Sequence, residues 1–139
     1  MKLKIINGPN LNLLGKREPS IYGKMNFEDY FEKLKEKYKT IEIEYYQSNI
    51  EGEIINEIQK SITENIDGVI INAGAYSHYS YAIRDAIKST DITFIEVHIS
   101  NIFNREDFRK KSVISEVCKG IISGLGLKSY QLAIEFFLT

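Results

Sequence analysis

Residues 68–78, GVIINAGAYSH, contain the pattern that decides the fold. The apolar run at 68–71 has the length of a strand and is typical of one buried on both faces. It passes directly into small and polar residues at 72–78. The stretch therefore predicts a short strand of a parallel sheet, followed by a polar loop at its carboxyl end.

The same alternation continues outward in both directions from this strand. The pattern predicts further strands, at residues 2–6, 41–46, 93–97 and 120–123. Helical spacing of apolar residues predicts the connecting helices, at 27–38 with Asn26 as N-cap, 54–62, 81–87 and 127–138. Alternating strands and helices require a parallel sheet with helices on both faces, so we predict an α/β, flavodoxin-like doubly wound domain of five strands. We expect residues 1–139 to form a single catalytic domain.

Composition narrows the classes of partner. Lys and Arg total 18 against 19 for Asp and Glu, so the net charge of −1 argues against a nucleic-acid or anionic membrane surface as partner. The one cysteine, Cys118, has no internal disulfide partner and is interpreted as a small buried residue in a reducing compartment. The apolar run at 3–6 is too short for a signal peptide or a membrane span. We therefore expect a cytoplasmic protein that binds neither nucleic acid nor a membrane.

Polar residues follow the predicted strands at the edge where ligands of such sheets bind. Right-handed crossovers bring the loops after parallel strands to one edge. Both histidines of the chain fall there, His78 after the third strand and His98 at the end of the fourth. One histidine at a strand end is more often a structural hydrogen-bonding group. Two at one edge, beside Asn10 and Asn72, favour a functional site.

Glu96 and His98 lie two residues apart on a predicted strand, so their side chains leave the same face. A carboxylate in that position can fix the tautomer of the imidazole, as the orienting acid of a catalytic triad does. The sequence has no Gly-x-Ser-x-Gly elbow, and Cys118 precedes a strand rather than following one. Acid–base chemistry is therefore favoured over a covalent nucleophile.

Several ligands common to this fold lack their sequence signature. No Gly-x-Gly-x-x-Gly turn and no Gly-x-x-x-x-Gly-Lys-Ser/Thr loop is present to hold nucleotide phosphates. A phosphate-accepting signalling domain needs clustered carboxylates where Asn10 and Asn72 stand. Two histidines without a flanking cysteine or carboxylate cluster make a poor metal site. We predict no cofactor and no metal.

The segment 7–23 is the longest stretch without helix or strand periodicity, and such loops are often functional. It places Arg17 and Tyr22 between Gly15 and Gly23. For a tyrosine to act as a base at neutral pH, its pKa of about 10 must fall by about three units, which takes roughly 4 kcal/mol of stabilisation of the anion. A nearby guanidinium is suited to provide it. On the loop alone, a surface tyrosine and arginine are the favoured interpretation.

Six segments of the chain, in order and over nearly its whole length, carry a family resemblance. They are 8–11 (GPNL), 17–23 (REPSIYG), 72–78 (NAGAYSH), 96–101 (EVHISN), 105–109 (REDFR) and 124–126 (GLG). Together they resemble the type II 3-dehydroquinate dehydratases. The resemblance implies a reversible anti elimination of water from 3-dehydroquinate, giving 3-dehydroshikimate through an enolate, without metal or cofactor. The same step serves the shikimate pathway and quinate breakdown.

The resemblance also implies a role for each matching catalytic residue. Tyr22 is the implied base, kept ionised by Arg17. His98 is the implied acid that protonates the departing hydroxyl, with Glu96 behind it. Asn10 is implied to hold a water that donates a hydrogen bond to the enolate oxygen.

The remaining implied residues bind substrate. They are the side chains of Asn72, His78 and Arg109 and the backbone N–H groups of Ile99 and Ser100. Asp85 matches a position that reaches the site of a neighbouring subunit. The resemblance thus implies a homo-oligomer, a dodecamer built from trimers.

Two other classes of protein remain as alternatives. One is a catalytically silent flavodoxin-like domain that acts through protein contacts, and the other is a flavin-binding electron carrier. The unrelated type I dehydratases use a lysine Schiff base, and nothing in this sequence singles out a lysine.

Overall fold

In the computed structural model, which describes residues 1–16, 20 and 24–139, five strands form one parallel sheet. The strands are β1 (Lys2–Asn7), β2 (Glu42–Gln47), β3 (Gly68–Asn72), β4 (Thr93–His98) and β5 (Gly120–Ser123). Their order across the sheet is β2-β1-β3-β4-β5, and every pairing is parallel. This is the flavodoxin-like order, and it confirms the predicted fold class.

In the described part of the chain, three α-helices of eight or more residues connect strands and a fourth follows β5, at the places where the apolar spacing predicts them. They are α1 (Phe27–Lys37), α2 (Glu51–Thr63), α3 (Tyr81–Lys88) and α4 (Lys128–Leu138). Asn26 caps α1 as predicted, because its Oδ1 accepts a hydrogen bond of 2.8 Å from the backbone N–H of Asp29. Helix α2 begins at Glu51, three residues before the predicted start at Ile54. The prediction missed this first turn because its residues are not apolar.

The sheet is covered on both faces, by two separate hydrophobic clusters. Phe27 and Leu34 of α1 pack in one cluster with residues of α4 such as Ile134. Ile54 of α2 and Ile83 of α3 belong to the other cluster. All five residues of β3 are buried. The central strand β3 is therefore accessible to a polar ligand at its ends and not through the faces of the sheet.

The loops that follow β1 and β3 touch each other closely. The backbone N–H of Gly8 donates to the carbonyl oxygen of Asn72 at 2.7 Å. A Cβ at position 8 would lie 2.5 Å from the carbonyl oxygen of Ala73, so only glycine fits there. Asn10 follows in the left-handed conformation with φ 71°, which asparagine tolerates better than most residues. This contact brings two predicted site loops together.

Among the described helices, none combines the length and the apolar character that crossing a membrane requires.

The Cys118 side chain is partly buried and packs against the cluster that covers the α2 and α3 face. Burial, and then the charge of Glu96, raises the pKa of its thiol to about 12. Cys118 is therefore a neutral thiol at physiological pH, which fits the structural interpretation of this residue.

Candidate active site

A pocket opens at the carboxyl edge of the sheet, the edge at which the topology predicts ligand binding. It is lined by residues that follow β1, β3 and β4. Seven of the residues predicted from the sequence line it: Asn10, Asn72, His78, His98, Ile99, Ser100 and Arg109. The structure therefore gathers most of the predicted site residues around one cavity.

His98 and Glu96 form a hydrogen-bonded pair at the end of β4. His98 Nε2 lies 2.5 Å from Glu96 Oε2. Glu96 is fully buried beneath the pocket, and His98 is 5% exposed at its floor. Because an ionised carboxylate only accepts hydrogen bonds, Nε2 carries the hydrogen of this contact. Nδ1 of His98 is then the ring nitrogen available for proton exchange with a bound molecule.

The Glu96 carboxylate receives two further hydrogen bonds. Ser112 Oγ donates to Oε2 at 2.8 Å, and Ser115 Oγ donates to Oε1. Burial raises the pKa of Glu96, but the hydrogen bond and charge of His98 and the two serine hydrogen bonds outweigh it. The net pKa of Glu96 lies below its ordinary value, so this buried carboxylate is ionised at neutral pH.

His78 lies beside His98 and is held by a backbone carbonyl. Its Nδ1 is 2.8 Å from the carbonyl oxygen of Lys111, so Nδ1 carries a hydrogen. Burial lowers the pKa of His78, and the charges of His98 and Arg109 lower it further, against the hydrogen bond to Lys111 and the charge of Glu96. His78 is therefore neutral at physiological pH, and its Nε2 is a hydrogen-bond acceptor.

Asn72 is held by a buried chain of hydrogen bonds. Its Nδ2 donates to the hydroxyl of Tyr130 at 2.9 Å, and that hydroxyl donates to Asn7 Oδ1 at 2.8 Å. The backbone N–H of Gly74 donates to Asn72 Oδ1 at 3.2 Å. These contacts fix which end of the Asn72 amide is the donor. The second hydrogen on Nδ2 is left for a ligand.

Two arginines line the pocket on the side of the residues that follow β4. Arg105 Nη1 donates to Ser100 Oγ at 3.1 Å. Arg109 Nε donates to Glu106 Oε2 at 2.8 Å, and its guanidinium lies 4.7 Å from the centre of the Phe108 ring. Two guanidinium groups beside one pocket suit a ligand that carries negative charge.

Two described residues that were predicted for the site, Glu96 and Asp85, do not line this pocket. Asp85 lies exposed on α3, where Arg84 Nη1 donates to its Oδ1 at 3.2 Å, and it does not line the pocket. Its predicted role in the site of a neighbouring subunit stays a prediction. Arg17 and Tyr22 lie outside the described residues.

Comparison with known proteins decides the family. The model for "Dehydroquinase class II" matches residues 1–138. The chain belongs to this family. The family membership agrees with the resemblance carried by the six sequence segments.

Individual members of the family are similar over almost their whole length. The 3-dehydroquinate dehydratase of Caldicellulosiruptor saccharolyticus is 57% identical, and the match covers 96% of this chain and 93% of that protein. The protein of the same name from Clostridium beijerinckii is also 57% identical, with 97% and 94% covered. The crystal structure of type II dehydroquinase from Butyrivibrio crossotus superposes with a TM-score of 0.97 at 53% identity, covering 100% of this chain and 98% of that one. The fold of this chain is thus that of a type II dehydroquinase.

Sequence reasoning missed four residues that shape the site. Arg105 lines the pocket, Tyr130 holds Asn72, and Ser112 and Ser115 hold Glu96. The position of Arg105, four residues before Arg109 in the loop that follows β4, could have identified it as a pocket residue. No sequence pattern identifies the two serines or Tyr130, because they act through other side chains and do not line the pocket.

The two histidines of the pocket, His78 and His98, are not part of a cluster of metal-ligating side chains in the described residues. In the described ranges, no cluster of three or more His, Cys, Asp or Glu is placed to hold a metal ion. One ring nitrogen of His78 and one of His98 are already engaged, with Lys111 and Glu96.

Proposed function

We propose that the protein catalyses the reversible dehydration of 3-dehydroquinate to 3-dehydroshikimate by anti elimination through an enolate. Family membership and the names of its relatives support the reaction. The observation that carries the proposal is the Glu96–His98 pair at the floor of a pocket that two arginines also line. A buried acid beside cationic groups suits the removal of hydroxide from an anionic substrate.

His98 supplies the acid half of the reaction. The imidazolium gives the proton on Nδ1 to the departing hydroxyl, so the C–O bond breaks and water leaves. The Nε2–H stays bonded to Glu96 throughout. The buried carboxylate compensates the positive charge that the ring carries before the transfer, and it keeps the ring in one tautomer.

Tyr22 supplies the base half, with Arg17 beside it. This assignment rests on the family resemblance of residues 17–23, REPSIYG. The phenolate takes the proton next to the ketone and forms the enolate, and Arg17 stabilises the phenolate before the transfer. Asn10 holds the water that donates a hydrogen bond to the enolate oxygen. The enolate then collapses to the conjugated ketone as the hydroxyl leaves.

The remaining pocket residues bind the substrate. Asn72, His78 and Arg109 contact its hydroxyl groups. The fixed amide of Asn72 donates, and the neutral ring of His78 accepts through Nε2. The backbone N–H groups of Ile99 and Ser100 bind the carboxylate. No cofactor or metal takes part in this scheme.

We propose that residues 1–139 form one catalytic domain and that the protein acts in the cytoplasm. Its proposed assembly is a homododecamer built from four trimers. Asp85, exposed on α3, contributes to the site of the neighbouring subunit in this assembly. Light scattering coupled to size-exclusion chromatography tests the subunit count. A monomer that is fully active would reject the role of Asp85.

The function is tested with purified protein and 3-dehydroquinate, followed by the ultraviolet absorbance of the conjugated product. A rise in absorbance supports the proposal, and a flat trace favours a catalytically silent domain. Borohydride added together with substrate should leave activity intact, because no imine forms. Inactivation by borohydride would instead indicate a lysine Schiff base.

A further inference from the structure

One short segment, residues 111–115, contacts the supports of both histidines. The carbonyl oxygen of Lys111 lies 2.8 Å from His78 Nδ1. Ser112 and Ser115, here called the serine pair, donate to the two oxygens of Glu96, which in turn holds His98. The segment therefore orients one ring directly and the other through a carboxylate.

The serine pair satisfies a carboxylate that has no contact with solvent. Glu96 is 0% exposed. A buried carboxylate is costly unless it is hydrogen-bonded and its charge is compensated. Oε2 accepts from both His98 and Ser112, while Oε1 accepts from Ser115. Without the serine hydroxyls, His98 would be the one remaining donor among these three.

The packing of the segment does not depend on these hydroxyls. Val113 and Ile114, which lie between the two serines, are 7% and 0% exposed in the hydrophobic cluster. The backbone N–H of Val113 also donates to the carbonyl oxygen of Ser77 at 2.8 Å. Apolar burial and this hydrogen bond hold the segment in place, so the serine hydroxyls have a separate task.

We propose that Ser112 and Ser115 are positioning residues for the acid: they hold the Glu96 carboxylate ionised and oriented so that His98 keeps its hydrogen on Nε2 and exchanges protons through Nδ1. Neither serine lines the pocket that His98 lines, so we expect both to act through Glu96 rather than on the substrate. This role rests on the proposed function of His98. The lowered pKa of Glu96, which the serine hydrogen bonds help to produce against the effect of burial, agrees with it.

Among the described residues, three other titratable groups interact electrostatically with Glu96: His98 on the same strand, His78 after β3, and Cys118 before β5. The thiol of Cys118 stays neutral, since its pKa is raised to about 12 by burial. His78 has a lowered pKa and titrates in the acid range. A test of Glu96 must therefore separate its titration from that of His78.

The test compares Ser112→Ala and Ser115→Ala with the parent by two measurements. The first is the side-chain carboxyl ¹³C resonance of Glu96 as a function of pH, identified by its absence from Glu96→Gln. The second is the pH dependence of kcat and KM with 3-dehydroquinate. Ser61→Ala is the control, because Ser61 is a buried serine whose hydroxyl donates to the carbonyl oxygen of Glu57 and not to Glu96.

The proposal predicts that each alanine variant raises the titration midpoint of Glu96 by about one pH unit and moves the acid limb of kcat by the same amount. It predicts a fall in kcat of about tenfold with KM within about twofold of the parent, because hydrogen bonds to charged groups are the strong ones. Ser112→Thr and Ser115→Thr keep the hydroxyl and should restore kcat. Ser61→Ala should change neither measurement.

Folded alanine variants with an unchanged Glu96 titration and an unchanged acid limb would overturn the proposal. Threonine variants as impaired as the alanine variants would also overturn it, since packing would then explain the loss. An alanine variant that fails to fold is replaced by the cysteine variant, whose thiol is a weak donor of similar size. A parent without activity would reject the proposed function, and the carboxyl titration would still decide the role of the serine pair.

Discussion

The imidazole rings of His78 and His98 stack, with their centres 5.9 Å apart and their planes inclined by 20°. Two positive charges at this distance repel each other, and the charge of His98 is one of the causes that lower the pKa of His78. The two rings differ in their hydrogen-bond partners. His98 bonds to the carboxylate of Glu96, whereas His78 bonds to a neutral carbonyl and has a pKa below its ordinary value of 6.5.

The lowered pKa of His78 predicts a pH dependence of binding and of stability. As the pH falls below 6.5 and through the pKa of the folded state, His78 gains a proton and Nε2 ceases to accept a hydrogen bond, so KM should rise. The unfolded chain binds this proton more readily, so the contribution of His78 to stability is present above pH 6.5 and is lost as the pH falls. Urea unfolding and KM, measured on both sides of this value in the parent and in His78→Gln, check both effects. A parent and a variant with the same pH dependence would contradict the assignment.

Gly8→Ala should destabilise the protein by about 2 kcal/mol, because the added Cβ meets the carbonyl oxygen of Ala73 at 2.5 Å. Gly52→Ala is the matched control, since a Cβ on that helical residue meets nothing within 4 Å. It should stabilise the protein by roughly 0.5–1 kcal/mol. Urea unfolding of both variants measures the difference. Equal effects would show that the two loops do not meet at Gly8.

Tyr130→Phe should weaken substrate binding as well as stability. The change removes the acceptor of Asn72 Nδ2 and the donor of Asn7 Oδ1 in a buried place, at a cost of about 1–3 kcal/mol. Of its hydrogen bonds to Tyr130 and Gly74, only the one to Gly74 is then left to orient the Asn72 amide, so the variant should have a higher KM. Tyr38→Phe is the control, because Tyr38 donates to Glu135 and does not line the pocket. Its KM should stay at the parent value, and a Tyr130→Phe variant with the same result would contradict the role of the chain.

Lys4→Met should lower the free energy of unfolding by about 1–3 kcal/mol without changing kcat. The Lys4 side chain is 1% exposed, and its Nζ lies 2.7 Å from Glu57 and 2.6 Å from Glu64. Burial lowers the pKa of Lys4, but the hydrogen bonds to both glutamates outweigh it, and the pKa lies above 10.5. Its contribution is therefore present below pH 10.5 and is lost as the pH rises through the pKa of the folded state. Lys2→Met, on the same strand but at a partly exposed ion pair with Glu44, should change stability less. An equal loss in both variants would contradict this account.

Much of the fold was predictable because its signals are local. The apolar run at 68–71 and the alternation around it predict β3 and the order of elements, and Asn26 predicts the start of α1. The polar residues after the strands predict the pocket, since parallel strands bring their carboxyl ends to one edge. The pairing of Glu96 with His98 follows from the two-residue period of a strand.

The rest depends on contacts between distant residues. Ser112 and Ser115 stand in a stretch without regular periodicity, so nothing in their spacing shows that they face Glu96. Tyr130 lies on a helix that is apolar nearly all round, where one hydroxyl gives no sign of its partner Asn72. Lys4 is a charged residue type that is rarely buried, and only the fold brings Glu57 and Glu64 to it.

The most direct test of the acid role is a comparison of kcat between His98→Ala and the parent, with 3-dehydroquinate as substrate. Far-ultraviolet circular dichroism first establishes that the variant is folded. The pair of His98 and Glu96 is central to the proposed mechanism, because His98 gives the departing hydroxyl the proton with which it leaves as water. We predict a fall in kcat of about two to four orders of magnitude, the usual contribution of general acid catalysis. A folded variant that turns over substrate at the parent rate would contradict the assignment of His98 as the acid.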